Sequence, residues 1–152
     1  MRKYDGIKKI ISGGQSGADL AGLYFARLNN IETGGYMPNG FLTENGAKPE
    51  YAERYGLKEF GIGYKLRTKR NVLESDGTII FAECSSSGSV LTMRYCRENR
   101  KPCLITPSSD GIITWLNDNR IQVLNVAGNR ESVSPGIFER VVKLLKASIS
   151  SE

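Results

Sequence analysis

Four times along the chain a short apolar run ends in a loop of small and polar residues and gives way to a segment with helical spacing. Ile7-Lys8-Lys9-Ile10-Ile11 leads into Ser12-Gly13-Gly14-Gln15-Ser16-Gly17-Ala18-Asp19, and Leu20, Leu23, Tyr24 and Leu28 then recur at helical intervals. Thr78-Ile79-Ile80-Phe81-Ala82 leads into Ser85-Ser86-Ser87-Gly88-Ser89 and a helix predicted to run to about Asn99. Cys103-Leu104-Ile105 follows Pro102 and precedes Pro107-Ser108-Ser109-Asp110, which caps a helix whose inner face is Ile112, Ile113 and Leu116. Ile121-Gln122-Val123-Leu124-Asn125-Val126 runs into Ala127-Gly128-Asn129-Arg130-Glu131-Ser132. Ser134 as N-cap and Pro135 as first helical residue then predict a last helix carrying Ile137, Phe138, Val141, Leu144 and Leu145. Near-continuous apolar strands are buried on both faces, and parallel strands require crossover helices. The class is therefore α/β.

The expected architecture is a Rossmann-like three-layer fold with a mainly parallel central sheet flanked by helices. A chain of 152 residues is enough for one core and too short for two, so residues 1–152 are expected to form a single ligand-binding domain. Residues 34–63 break the rhythm, with Gly34, Gly35, Gly40, Gly46, Gly56, Gly61 and Gly63 scattered among Pro38, Pro49 and several aromatics. This stretch reads as an irregular Gly-rich insertion, with one short helix predicted from Pro49 to Tyr55 ahead of Gly56.

There is no histidine, which excludes Ser-His-Asp and Cys-His catalytic units and every His-containing metal site. Three cysteines, with no C-x-x-C, support neither a disulfide framework nor a zinc site, and no metal site is expected. No apolar run reaches the ~20 residues of a membrane span, and the N-terminus lacks the apolar stretch of a secretory signal; a cytoplasmic protein without a membrane partner is expected. The net charge of +5 is dispersed, so nucleic acid is not an expected partner.

Ligands of open parallel sheets bind outside the carboxyl ends of the strands, where glycines admit backbone N–H groups and helix N-termini attract anions. Three loops fit. Gly13, Gly14, Gln15, Ser16 and Gly17, with Asp19 just beyond, match neither G-x-G-x-x-G nor a P-loop; the plain alternative is a tight turn. Ser86, Ser87, Gly88 and Ser89 offer hydroxyls and amides at a helix start, or simply an N-cap. Gly128, Arg130, Glu131 and Ser132 put a guanidinium fork ahead of a helix, unless Arg130 and Glu131 are only a surface pair. A fourth element is a helical stripe of Tyr64, Arg67, Thr68 and Asn71; such stripes usually face solvent, but Lys65, Lys69 and Arg70 already supply that face. The three loops are expected to converge on one pocket.

Taken in order, these residues carry a resemblance. Ile11 through Asp19, Thr33-Gly34-Gly35-Tyr36-Met37-Pro38-Asn39-Gly40, Tyr55-Gly56-Leu57, Arg67-Thr68 and Asn71-Val72 resemble the molybdenum cofactor carrier-like family. So do Ser75 through Phe81, Ser87-Gly88-Ser89 with Leu91-Thr92, Lys101-Pro102, and Asn125 through Ser132 with Pro135-Gly136. That family lies within the Rossmann-like superfamily of lonely-guy and lysine-decarboxylase-like proteins. The resemblance implies a crevice for a small phosphorylated or nucleotide-derived ligand, with the molybdenum cofactor as the candidate, and adds Thr33, Gly34, Gly35 and Thr92 to the expected binding set. A homo-oligomer is also expected. Lonely-guy enzymes carry P-G-G-x-G-T-x-x-E with a catalytic Glu; here Thr92 stands at that place and Asn129 replaces the family's usual Pro. A carrier is therefore expected. The alternative is a lonely-guy-like hydrolase cleaving an N-glycosidic bond, with Asp19 or Glu131 as its carboxylate.

Overall fold

The computed structural model describes residues 1–150. The chain runs through β1 (Lys9–Ser12), α1 (Ala18–Leu28), β2 (Glu32–Gly34), β3 (Tyr36–Met37), β4 (Leu42–Thr43), β5 (Gly46–Ala47), α2 (Glu50–Tyr55) and β6 (Lys58–Glu59). It continues through α3 (Lys65–Glu74), β7 (Gly77–Phe81), α4 (Ser87–Glu98), β8 (Cys103–Ile105), α5 (Ser109–Asn119), β9 (Val123–Gly128) and α6 (Ile137–Ser148). Five strands form one all-parallel sheet in the order β2-β1-β9-β7-β8, as the uninterrupted apolar runs require. β7 is buried along its whole length.

The main core lies where α1, α5 and α6 meet the sheet, around Ile10, Phe25, Ile79, Leu116, Leu124, Val126, Ile137 and Leu145. Fully burying side chains of this size stabilises by about 1.5–3 kcal/mol each relative to exposure. α1 reaches the sheet because its inward face is small: a Cβ on Gly22 would lie 2.7 Å from the Cβ of Val126. On the other side α3 packs on α4, and a second cluster of Leu23, Met37, Tyr51, Tyr55 and Leu57 holds the segment after β2. No helix among the described residues is long and apolar enough to cross a membrane.

Two boundaries differ from the sequence reading for identifiable reasons. The last strand starts at Val123 rather than Ile121, because the Asp76 carboxylate accepts the N–H groups of Gln122 and Val123 before the ladder begins. The last helix starts at Ile137, not Pro135: Gly136 is its N-cap in the left-handed region at φ 87°, and Ser134 bonds to Glu83 instead of capping. The Glu131 carboxylate does the capping, accepting the Gly136 N–H at 2.6 Å and the Phe138 N–H at 3.1 Å. Within the irregular stretch the short helix is present as α2, ended by Gly56 in the left-handed region. The edge strand β2 and the two small sheets, β3 with β6 and β4 with β5, were not foreseen from the sequence.

Candidate functional site

Strand order decides where the loops go. β9 lies between β1 and β7, with Ser12 opposite Val126 and Phe81 opposite Gly128, so the loops leaving all three carboxyl ends emerge side by side. Residue 129 fastens them. The Asn129 side chain accepts the Glu83 N–H at 2.8 Å and donates to the Cys84 carbonyl at 3.2 Å, and its own carbonyl accepts the Ala18 N–H at 3.1 Å. The loops after β1, β7 and β9 are thus joined through one buried residue.

Together they border a cavity of about 610 Å³ that α3 closes on the remaining side. This is within the range of small-molecule and cofactor sites. Gly13, Gln15 and Asp19 line it from the first loop, and Ser86, Ser87, Gly88, Ser89 and Thr92 from α4 and its approach. Gly128 at the end of β9 and Arg130 just beyond it contribute, and the stripe of Tyr64, Arg67, Thr68 and Asn71 borders the cavity together with Lys65, which the sequence reading had assigned to the solvated face.

The Arg67 side chain is 11% exposed and lies across Gly13, where any Cβ would fall 1.5 Å from Nη1. Its Nη1 stands 3.6 Å from Oδ2 of Asp19, while its Nε is buried without a hydrogen-bond partner. Such a donor ordinarily meets an acceptor. Asp19 also accepts the Gln15 N–H at 3.3 Å. Burial pushes its carboxyl up to about 6, against the pull of Arg67 and of the backbone donors, so burial outweighs the pairing. Opposite, Ser86 and Ser89 form a capping box, and the first amides of α4, those of Ser87 and Gly88, have no intrahelical acceptor.

Several expected residues have other occupations. Asn71 lines the cavity, but its amide clamps β3, accepting the Tyr36 N–H at 3.0 Å and donating to the Tyr36 carbonyl at 3.1 Å. The Thr92 hydroxyl donates to the Gly88 carbonyl at 2.9 Å. Gly14, at φ 72°, does not line the cavity; it turns toward Met37 and Leu57. Gly17 packs against the backbone of Asn129 and Glu131, where a Cβ would meet the Asn129 carbonyl at 2.4 Å. Glu131 caps α6, and Ser16 and Ser132 bind the carboxylate of Glu44, a residue the sequence reading passed over. Thr33, Gly34 and Gly35 lie apart on and beside edge strand β2, where Gly34 and Gly35 border a separate groove of about 140 Å³. Gly35 is needed for close approach, since a Cβ there would lie 2.1 Å from the Ser12 carbonyl oxygen.

The cavity also takes in Ile62, Gly63, Leu91, Asn125 and Val133. Of these only Asn125, a polar residue inside an apolar strand, carried a signal in the sequence; its amide donates to the Thr78 hydroxyl at 3.1 Å. Among the described residues no three His, Cys, Asp or Glu side chains cluster as metal ligands.

Comparison with known proteins fits this arrangement. The sequence profile of the circularly permutated YpsA SLOG family matches residues 10–149. The chain belongs to this SLOG family. A solved structure from Syntrophus aciditrophicus SB, named a "putative molybdenum carrier protein", is similar at 40% identity and a TM-score of 0.88, covering 96% of this chain and 97% of that one. A search of curated proteins found no match. The family match takes in all three loops and α3, so the cavity lies wholly within the SLOG portion of the chain.

Proposed function

We propose that this SLOG-family chain is a carrier that binds one small phosphorylated or nucleotide-derived ligand in the cavity and releases it unchanged, the molybdenum cofactor being the candidate cargo. The observation that carries this reading is the largely buried guanidinium of Arg67, which lines the cavity together with Arg130 and the helix start at Ser87 and Gly88, whose amides have no intrahelical acceptor. Guanidinium and helix N-terminus are both suited to anionic oxygens, and the cavity has the volume for a heterocycle behind them. The name of the Syntrophus relative supplies the molybdenum element of the proposal.

The hydrolase alternative needs a free carboxylate. Asp19, the carboxylate lining the cavity, faces Arg67, and Glu131 is engaged at the start of α6. The test is calorimetric titration with a phosphorylated pterin and with nucleoside monophosphates, followed by chromatography of the recovered ligand. One of these should bind stoichiometrically and return intact, and Arg67→Gln should weaken it by about 1.5–3 kcal/mol, the scale of a charge-assisted hydrogen bond. Release of free base that vanishes in Asp19→Asn would replace the carrier by the enzyme.

A further inference from the structure

Beside the cavity a second set of donors converges on a carboxylate of the chain itself. Glu44 sits between β4 and β5, on a hairpin whose Leu42, Asn45, Gly46 and Ala47 are exposed, yet its own side chain is only 13% exposed. Both carboxylate oxygens are held. Oε2 accepts from the Ser16 hydroxyl and from the Ser132 N–H at 3.2 Å; Oε1 accepts from the Ser132 hydroxyl, with Arg130 Nε 4.0 Å away. The Glu44 N–H donates to Gln15 Oε1 at 2.8 Å. Ser16 itself lies two residues before the start of α1.

Hydroxyls, an amide and a guanidinium are the donors that recognise a phosphate oxygen as readily as a carboxylate. We propose that Ser16, Arg130 and Ser132 form a second anion site, filled here by Glu44, and that a further anionic group on the ligand displaces Glu44 and releases the 41–47 hairpin. The favoured class is a ligand with two linked anionic groups, such as a nucleoside diphosphate or a dinucleotide. Arg130 makes the connection, since it lines the cavity and also approaches Glu44. The hydroxyls of Ser132 and Ser16 hold the Glu44 carboxyl below its usual range, so it is an anion at neutral pH and competes as one. The proposal rests on the cavity's being an anion-binding site, and the test separates the two.

The probe is inorganic pyrophosphate, followed by calorimetry and by amide chemical shifts. Glu44→Ala should bind it about tenfold more tightly than the unaltered protein, with shifts at Ser16 and Ser132, and the gain should disappear in Glu44→Ala combined with Ser132→Ala. In the unaltered protein, saturating pyrophosphate should speed hydrogen exchange at the Glu44 amide, which holds the hairpin to Gln15. Equal affinity in both proteins, with shifts confined to Ser87 and Gly88, would overturn the second site and leave the cavity standing. Gain at Ser132 with no shift at Ser87 or Gly88 would support the second site while removing the cavity reading.

Discussion

Replacing Asp19 by Asn should remove a pH dependence of stability whose sign is opposite to that of most carboxylates. The Asp19 carboxyl is raised from 3.8 to about 6 by burial, with Arg67 and the Gln15 amide pulling the other way. The native state therefore binds this proton more tightly than the unfolded chain. Its contribution to stability is fully present below about pH 4, is lost as pH rises through 6, and is flat above. A shift of that size corresponds to about 3 kcal/mol across the window. Glu74 and Glu83, held below their usual range by Arg70 and Arg140, act in the other direction at lower pH and are common to both proteins. The measurement is urea denaturation at pH 4, 5, 6 and 7, read from the fluorescence of the one tryptophan, Trp115, which packs against the main core. Subtracting the variant from the unaltered protein isolates Asp19. A constant offset is expected besides, because Arg67 loses its partner, but the slope is the prediction. Parallel curves would refute the reasoning and place Asp19 in contact with water.

Other outcomes follow from the packing. Asn129→Ala should cost about 2–3 kcal/mol in denaturant unfolding, since it leaves the Glu83 and Cys84 amides and the Cys84 carbonyl without their partner. Gly22→Val should cost more than 2 kcal/mol and lower Tm, because α1 can make room against Val126 only by leaving the sheet. Gly13→Ala should leave the fold intact and weaken ligand binding as Arg67→Gln does, since the methyl group occupies the resting place of the flexible Arg67 tip.

The parallel sheet was legible because Ile79-Ile80-Phe81 and Leu104-Ile105 are apolar without alternation, and periodicity of that kind admits few architectures. The stripe of α3 was legible because Lys69 and Arg70 defined an outer face, but Lys65, assigned to that face as well, borders the cavity. Glu44 was not. An acidic residue in a Gly-rich turn looks like any solvated side chain, and its role depends on Ser16 and Ser132, far away in the chain. Thr33, Gly34 and Gly35 misled in the opposite sense: Gly35 is demanded by contact with the Ser12 backbone, and a residue held for close packing resembles one held for a ligand. Glu131 showed the same ambiguity. Its position ahead of a helix suits an anion-binding loop and a helix cap equally, and only the two bonds to Gly136 and Phe138 decide.

The placement of β9 between β1 and β7 has a consequence for synthesis on the ribosome. Until residues 123–128 have emerged, β1 and β7 have no strand to join them, and two separate pairs, β1 with β2 and β7 with β8, wait with their inner edges, β1 and β7, open as well as their outer ones. Closure of the sheet is thus a late, long-range event, of the kind that makes folding slow and leaves edges available to neighbouring chains. The same strand brings Gly128 and, just beyond it, Asn129 and Arg130, so a nascent chain lacks the cavity until the centre of its sheet is filled. A released fragment ending near residue 120 should accordingly bind chaperones or aggregate instead of persisting as a folded half.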